Sequence, residues 1–148
     1  MMIVVDTNVV SELMRPSPSP VVVGWVRHNE SELYTTSVTL AEIRYGIERL
    51  ADGHRKQLLR STAEEVFADF EERVLPFDAE AAVAYATIVS DRDRAGLPID
   101  GFDAQIVSIC RAHRAALATR NSKDFQDTGI DVIDPWQPDL HALTDHDL

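Results

Sequence analysis

Two short apolar runs in this sequence stop on clusters of side-chain oxygen. MIVV at residues 2 to 5 is followed by Asp6, Thr7 and Asn8, and AALA at 115 to 118 by Thr119, Arg120 and Asn121, with Asp124 close behind. Two further acids lie on segments with helical periodicity. Glu42 falls inside SVTLAEIRYGI, and Asp103 stands three, four and seven residues ahead of Ile106, Val107 and Cys110. Carboxylates, amides and hydroxyls suit Mg²⁺ or Mn²⁺, and no paired Cys or closely spaced His suggests zinc. Two carboxylates about 4 Å apart repel by about 4 kcal/mol at an effective dielectric of about 20, so a cluster of them needs a cation. The chemistry that follows is attack of a metal-activated water on a phosphodiester, with the cation also stabilising the leaving oxygen.

Each of these residues also has a plain structural use. Asp6 or Thr7 can cap the helix that follows. Glu42, near a helix start, can be a solvated side chain favoured by the macrodipole. Asp103 can be the third-position acid of a capping box whose N-cap is Asp100, and Asn121 with Asp124 reads as a helix start with a first-turn acid. A shared site therefore requires that these acids meet at one edge of the fold.

The elements that must bring them together are legible as an alternation of short apolar strands with amphipathic helices. Residues 2–5 read as a buried strand, VVSELM as a short helix, and RPSPSP as a loop, because its three prolines favour extended backbone. A helix over 21–29, a strand at 33–36 and a helix carrying Leu40, Ile43, Ile47 and Leu50 follow, the last ending at Gly53. A helix over 55–72, a brief strand in RVLPF, and an Ala-rich helix from Asp78 to Gly96 come next. The series closes with a helix from Gly101 to Arg114, a strand in AALAT and a last one in VID. Strand and helix in alternation predict a parallel sheet covered on both faces, an α/β fold, whose ligands sit beyond the C-terminal strand ends. Residues 1–136 read as one domain and 137–148 as a polar, acidic tail.

Composition sets limits on function. The 148 residues are 45% hydrophobic, enough for one sizeable core. The 25 acidic and 14 basic residues leave a net charge of -11, which disfavours unaided binding to nucleic acid. A divalent cation and a few Arg or Lys along the approach would still admit a polyanion. Cys110 is the single cysteine, so no intrachain disulfide forms, and its apolar neighbours assign it to the core. No segment has the roughly 20 apolar residues of a membrane helix, and no signal peptide is recognisable, so a cytoplasmic protein is expected.

In their order along the chain, VVDTNVVSELMRP, TSVTLAEIRYGI, DAQIVSICRAHRAALATRNSKDF and DVIDPW resemble the PIN-domain ribonucleases. Within them the resemblance is to the VapC-type toxins of toxin-antitoxin pairs, close to the FitB-like branch. It spans nearly the whole chain. It implies a three-layer αβα fold, a homodimer, Mg²⁺-dependent RNA cleavage, and neutralisation by a small antitoxin that carries a DNA-binding domain. Asp6, Glu42 and Asp103 match the family's three acids and Thr119 a hydroxyl near the metal. Asn121 stands where many relatives have a fourth Asp, so it offers an amide oxygen but no charge. Arg15 matches a basic position of the FitB-like branch that would touch phosphate, or is an exposed loop arginine; Arg120 has the same two readings. The expected activity is that of an endoribonuclease toxin with Asp6, Glu42, Asp103 and Asn121 as metal ligands and Thr119 assisting. The alternative is a PIN-like binding protein whose acidic pocket receives a partner's basic side chains. A phosphatase with a nucleophilic Asp fits less well, since DTN has Asn where such enzymes commonly have a second Asp.

Overall fold

In the computed structural model residues 1–138 are described; the expected tail at 137–148 lies, from residue 139 on, outside the described residues. Five strands form one parallel sheet in the order β3-β2-β1-β4-β5. They are β1 (Ile3–Val5), β2 (Leu33–Thr36), β3 (Val74–Leu75), β4 (Ala116–Ala118) and β5 (Val132–Ile133). Ile3 pairs with Leu33 on one side and Ala116 on the other, so β1 lies at the centre. Both of its faces are covered, which is why it reads as a continuous apolar run rather than an alternating one.

Helices supply the outer layers. Ile3 and Val5 pack with Val10 of α1 (Thr7–Leu13), Val22 of α2 (Pro20–His28), Ile43 and Ile47 of α3 (Ser37–Glu48), and Phe70 of α4 (His54–Phe70). Val4 and Leu117 point the other way, onto Ile88 of α5 (Ala79–Arg94) and Ile106, Val107 and Ile109 of α6 (Gly101–His113). The alternation of strand side chains thus divides the core in two and yields the three-layer αβα arrangement. Cys110 belongs to the second cluster, and burial pushes its thiol pKa up, as expected of a packing residue. No helix among the described residues is long and apolar enough to cross a membrane.

Element boundaries differ from the sequence expectation where side chains close a corner. The third helix stops at Glu48, five residues before Gly53, and Gly53 instead opens α4 with a φ of 153°. Lys56 explains the early stop: its buried ammonium donates to the Glu48 carbonyl at 3.0 Å and to Asp52 at 3.2 Å, satisfying the helix end that Gly53 was expected to terminate. The first helix starts two residues earlier than VVSELM suggests, because Asp6 caps it. Pro20, expected in the loop, is the first residue of α2, where its missing N–H costs nothing. Arg92, buried in α5, donates to the carbonyls of Leu97 and Gln126, and so ties the segment ahead of α6 to the one that follows β4.

Candidate active site

The strand order turns at β1. The chain moves outward to β2 and β3, then crosses back to lay β4 and β5 on the other side. Beyond the ends of β1 and β4, where an open α/β sheet binds its ligand, lies an open cleft of about 510 Å³ that Asp6, Glu42, Asp103 and Asn121 all line.

Asp6 follows β1 directly and is only 4% exposed. Its backbone N–H bonds the Ala118 carbonyl of β4 at 2.8 Å, which carries the sheet register up to the site. Oδ1 accepts from the Thr7 N–H at 2.8 Å, making Asp6 the N-cap of α1, while Oδ2 accepts from the Thr119 hydroxyl at 2.7 Å. The cap and the site are therefore the same carboxylate. Capping fixes its direction and leaves it on the cleft wall.

Thr119 is fully buried behind that wall rather than exposed in it. Its hydroxyl donates to Asp6 and accepts from the Asn8 amide and the Asn121 N–H, each at 3.1 Å, so all three of its hydrogen-bonding valences are used. It is a positioning residue. Thr119→Val keeps the shape but strands these partners, and is expected to destabilise the fold by about 1–3 kcal/mol. Urea unfolding measures this; a destabilisation below about 0.5 kcal/mol would mean the hydroxyl is dispensable.

Glu42 is held by the adjoining helix. Thr36 caps α3 by accepting from the Thr39 N–H at 3.1 Å, which sets the helix start. One turn on, Glu42 Oε1 accepts from the Thr7 hydroxyl at 2.9 Å, and Thr7 meets Thr39 at 3.1 Å. Glu42 is thus bonded to the residue next to Asp6, not turned to open solvent.

Asp103 sits in the first turn of α6. Asp100 caps that helix as expected, accepting from the N–H groups of Phe102 at 2.9 Å and Asp103 at 3.4 Å. The reciprocal half of the capping box is absent among the described residues. The Asp103 carboxylate, half-buried and with no hydrogen-bond partner there, faces the cleft.

Electrostatics express the crowding. Burial raises the pKa of Asp6, offset in part by the bonds from Thr119 and Thr7. Glu42 is raised by burial, with the nearby charges of Asp6 and Asp100 adding to it against the Thr7 bond. Asp103 moves furthest, to about 7, through burial first and then the charges of Asp6, Asp100, Glu42 and Asp124. These acids repel one another, and among the described residues no Lys or Arg is bonded to any of the three.

Asn121 is exposed at the mouth of the cleft and leads into a short 3-10 turn, Ser122–Phe125, without a side-chain cap. The helix start expected there is only that turn. Asp124 lies outside the cleft lining and reaches the site only as a distant charge. Sequence reasoning passes over Glu12, a buried acid that also lines the cleft and is paired with Arg15, both carboxylate oxygens lying 3.1 Å from one guanidinium nitrogen. A signal is present: Asn8 and Glu12, four residues apart, share one face of α1, and Arg15 follows three residues later, just past the helix end. Trp136, in the sequence only the end of a motif, also lines the cleft.

The donor set, three carboxylates and an amide with no competing cation bonded to them, fits a hard dication in kind. Among the described residues, however, no group of three His, Cys, Asp or Glu side chains is arranged to hold a metal ion as it stands.

Parallel sheet, helical layers and acids at the strand ends together define a class: the chain belongs to the PIN domain family, which matches residues 3–130. Its named relatives include the VapC ribonuclease Y4jK of Sinorhizobium fredii, 37% identical over 93% of this chain and 99% of the relative. Toxin FitB of Neisseria gonorrhoeae is 36% identical over 91% of this chain and 99% of its own. Among solved structures, FitAB bound to an IR36 DNA fragment superposes with a TM-score of 0.85 at 35% identity, covering 92% of this chain and 96% of that one.

Proposed function

We propose that the protein is the Mg²⁺-dependent endoribonuclease toxin of a type II toxin-antitoxin pair, acting in the cytoplasm as a homodimer. The observation that carries this is the meeting of Asp6, Glu42 and Asp103, from three distant segments, on one cleft where burial raises all three pKa values and the charge of Asp6 adds to the rise at Glu42 and Asp103. The names of relatives as a VapC ribonuclease and a toxin agree with it.

On this reading Asp6, Asp103, Glu42 and the Asn121 amide oxygen hold Mg²⁺ or Mn²⁺. Bound there, the cation supplies an activated water and a counter-charge for the leaving oxygen. The chain does the rest. Thr119 and the Thr7 N–H orient the Asp6 carboxylate, the Thr7 hydroxyl orients Glu42, and the Asp100 cap fixes the turn of α6 that presents Asp103. No side chain becomes covalent. A small antitoxin with its own DNA-binding domain supplies the DNA contact that a chain of net charge -11 lacks, and FitAB on DNA is a relative with such a contact.

A second reading, a binding protein that takes a partner's basic side chains into the acidic cleft, is favoured by the net charge of -11 and by Asn121, which brings an amide and no fourth negative charge to the cleft. One experiment separates the two. The purified chain with Mg²⁺ or Mn²⁺ is expected to degrade RNA and to stop when the cation is chelated. Intact RNA under both conditions, with no cation binding by calorimetry, rejects the nuclease.

A further inference from the structure

Two cations line the cleft, and their commitments differ. Arg15 is tied to the buried Glu12 carboxylate. Arg120 has no carboxylate partner among the described residues. Its guanidinium instead lies over the ring of Trp136, 5.0 Å from the centroid. Parallel pairing explains how they meet: Ala118 of β4 is opposite Ile133 of β5, so the residues leaving the two strands, Arg120 and Trp136, emerge at the same sheet edge. Trp136 is firmly seated. It packs against the first core cluster, and its backbone N–H donates to the Asp134 carboxylate at 2.9 Å.

A guanidinium over an indole ring is attracted to the π face, and among the described residues the Arg120 guanidinium makes no hydrogen bond, which leaves its N–H groups able to donate. Beside four acids, that is the one uncommitted positive group the cleft offers to a phosphate among the described residues. We propose that Arg120 grips the RNA backbone at the mouth of the acidic cleft and that Trp136 is the positioning residue that aims it. The proposal rests on the nuclease reading for its ligand. It extends that reading by assigning the grip on substrate to Arg120 rather than to Arg15.

The test is the binding of a fluorescein-labelled, mixed-sequence single-stranded RNA to the full chain carrying Asp6→Asn, with Mg²⁺ present, by fluorescence polarisation across a salt series. Adding Arg120→Ala is expected to weaken binding about ten- to a hundredfold. It should also flatten the slope of log affinity against log salt by about 0.7 for each phosphate that is no longer neutralised. Trp136→Ala is expected to weaken binding about threefold to tenfold and Trp136→Phe to restore most of it, since a ring face returns. Combined with Arg120→Ala, Trp136→Ala should add nothing, because it acts through the arginine. Binding within about twofold of the parent after Arg120→Ala, or an undiminished tryptophan effect without Arg120, overturns the proposal. Cleavage by the otherwise unaltered chain is scored separately. RNA that is bound through Arg120 but never cut rejects the nuclease and leaves this inference standing.

Discussion

Asp6→Asn is expected to lower RNA cleavage by about a thousandfold while the protein stays folded. Both halves follow from the double duty of this side chain. Asn is as good an N-cap as Asp, so its one amide oxygen keeps the bond from the Thr7 N–H, while its NH2 group takes the place of the oxygen that accepts from Thr119. What disappears is the negative charge on a carboxylate that is almost wholly buried at the centre of the cleft. Without a cation, removal of that charge relieves repulsion on Asp103 and Glu42 and offsets the lost Thr119 bond, so the variant should melt within about a few degrees of the parent. Thermal melting and a gel-based RNA cleavage assay check the two halves together. An Asn variant that is folded and still active would remove Asp6 from the chemistry.

A second large effect is expected from pH and cation together. Burial and neighbouring carboxylates hold Asp103 at about 7 in the fold, against an ordinary value of 3.8. The folded state therefore binds this proton more tightly than the unfolded chain does. The stability it brings is complete below about 4 and is lost as pH rises through about 7. Cation-free protein should lose melting temperature between pH 5 and pH 8, by about a few degrees. Mg²⁺ or Mn²⁺ binds the ionised cluster, so it should raise the melting temperature at pH 8 and have little effect at pH 5. Cleavage at limiting cation should climb through about pH 7 for the same reason. Asp103→Asn should flatten the cation-free stability profile, and a variant with the parental slope would place the titration elsewhere.

The sheet is readable from sequence because parallel strands, buried on both faces, leave unbroken apolar runs such as MIVV and AALA. Asp6 and Asp103 are readable because one follows a strand and the other sits on an apolar helix stripe, where a carboxylate is out of place, whereas Glu42 lies beside its stripe and stands out only through the family resemblance. Other features resist. The stop at Glu48 depends on Lys56, a side chain eight residues away whose buried donor leaves no local pattern. The pairing of Glu12 with Arg15, which withdraws one arginine from the site, is a choice among exposed-looking charges that only three-dimensional packing decides. The family resemblance places Thr119 as a hydroxyl beside the site; what the sequence does not show is that it is fully buried behind Asp6, where it holds Asp6, Asn8 and Asn121 in place.

The bond between Thr119 and Asp6 joins residues 113 positions apart, and β1 cannot take its place between two neighbours until β4 has been made. A ribosome that has translated only the first two thirds of the message therefore carries the leading acid but not the strand that aims it. Prematurely terminated products should lack the RNA cleavage proposed for the full chain, which should appear only near the end of synthesis, as a property of nearly finished chains.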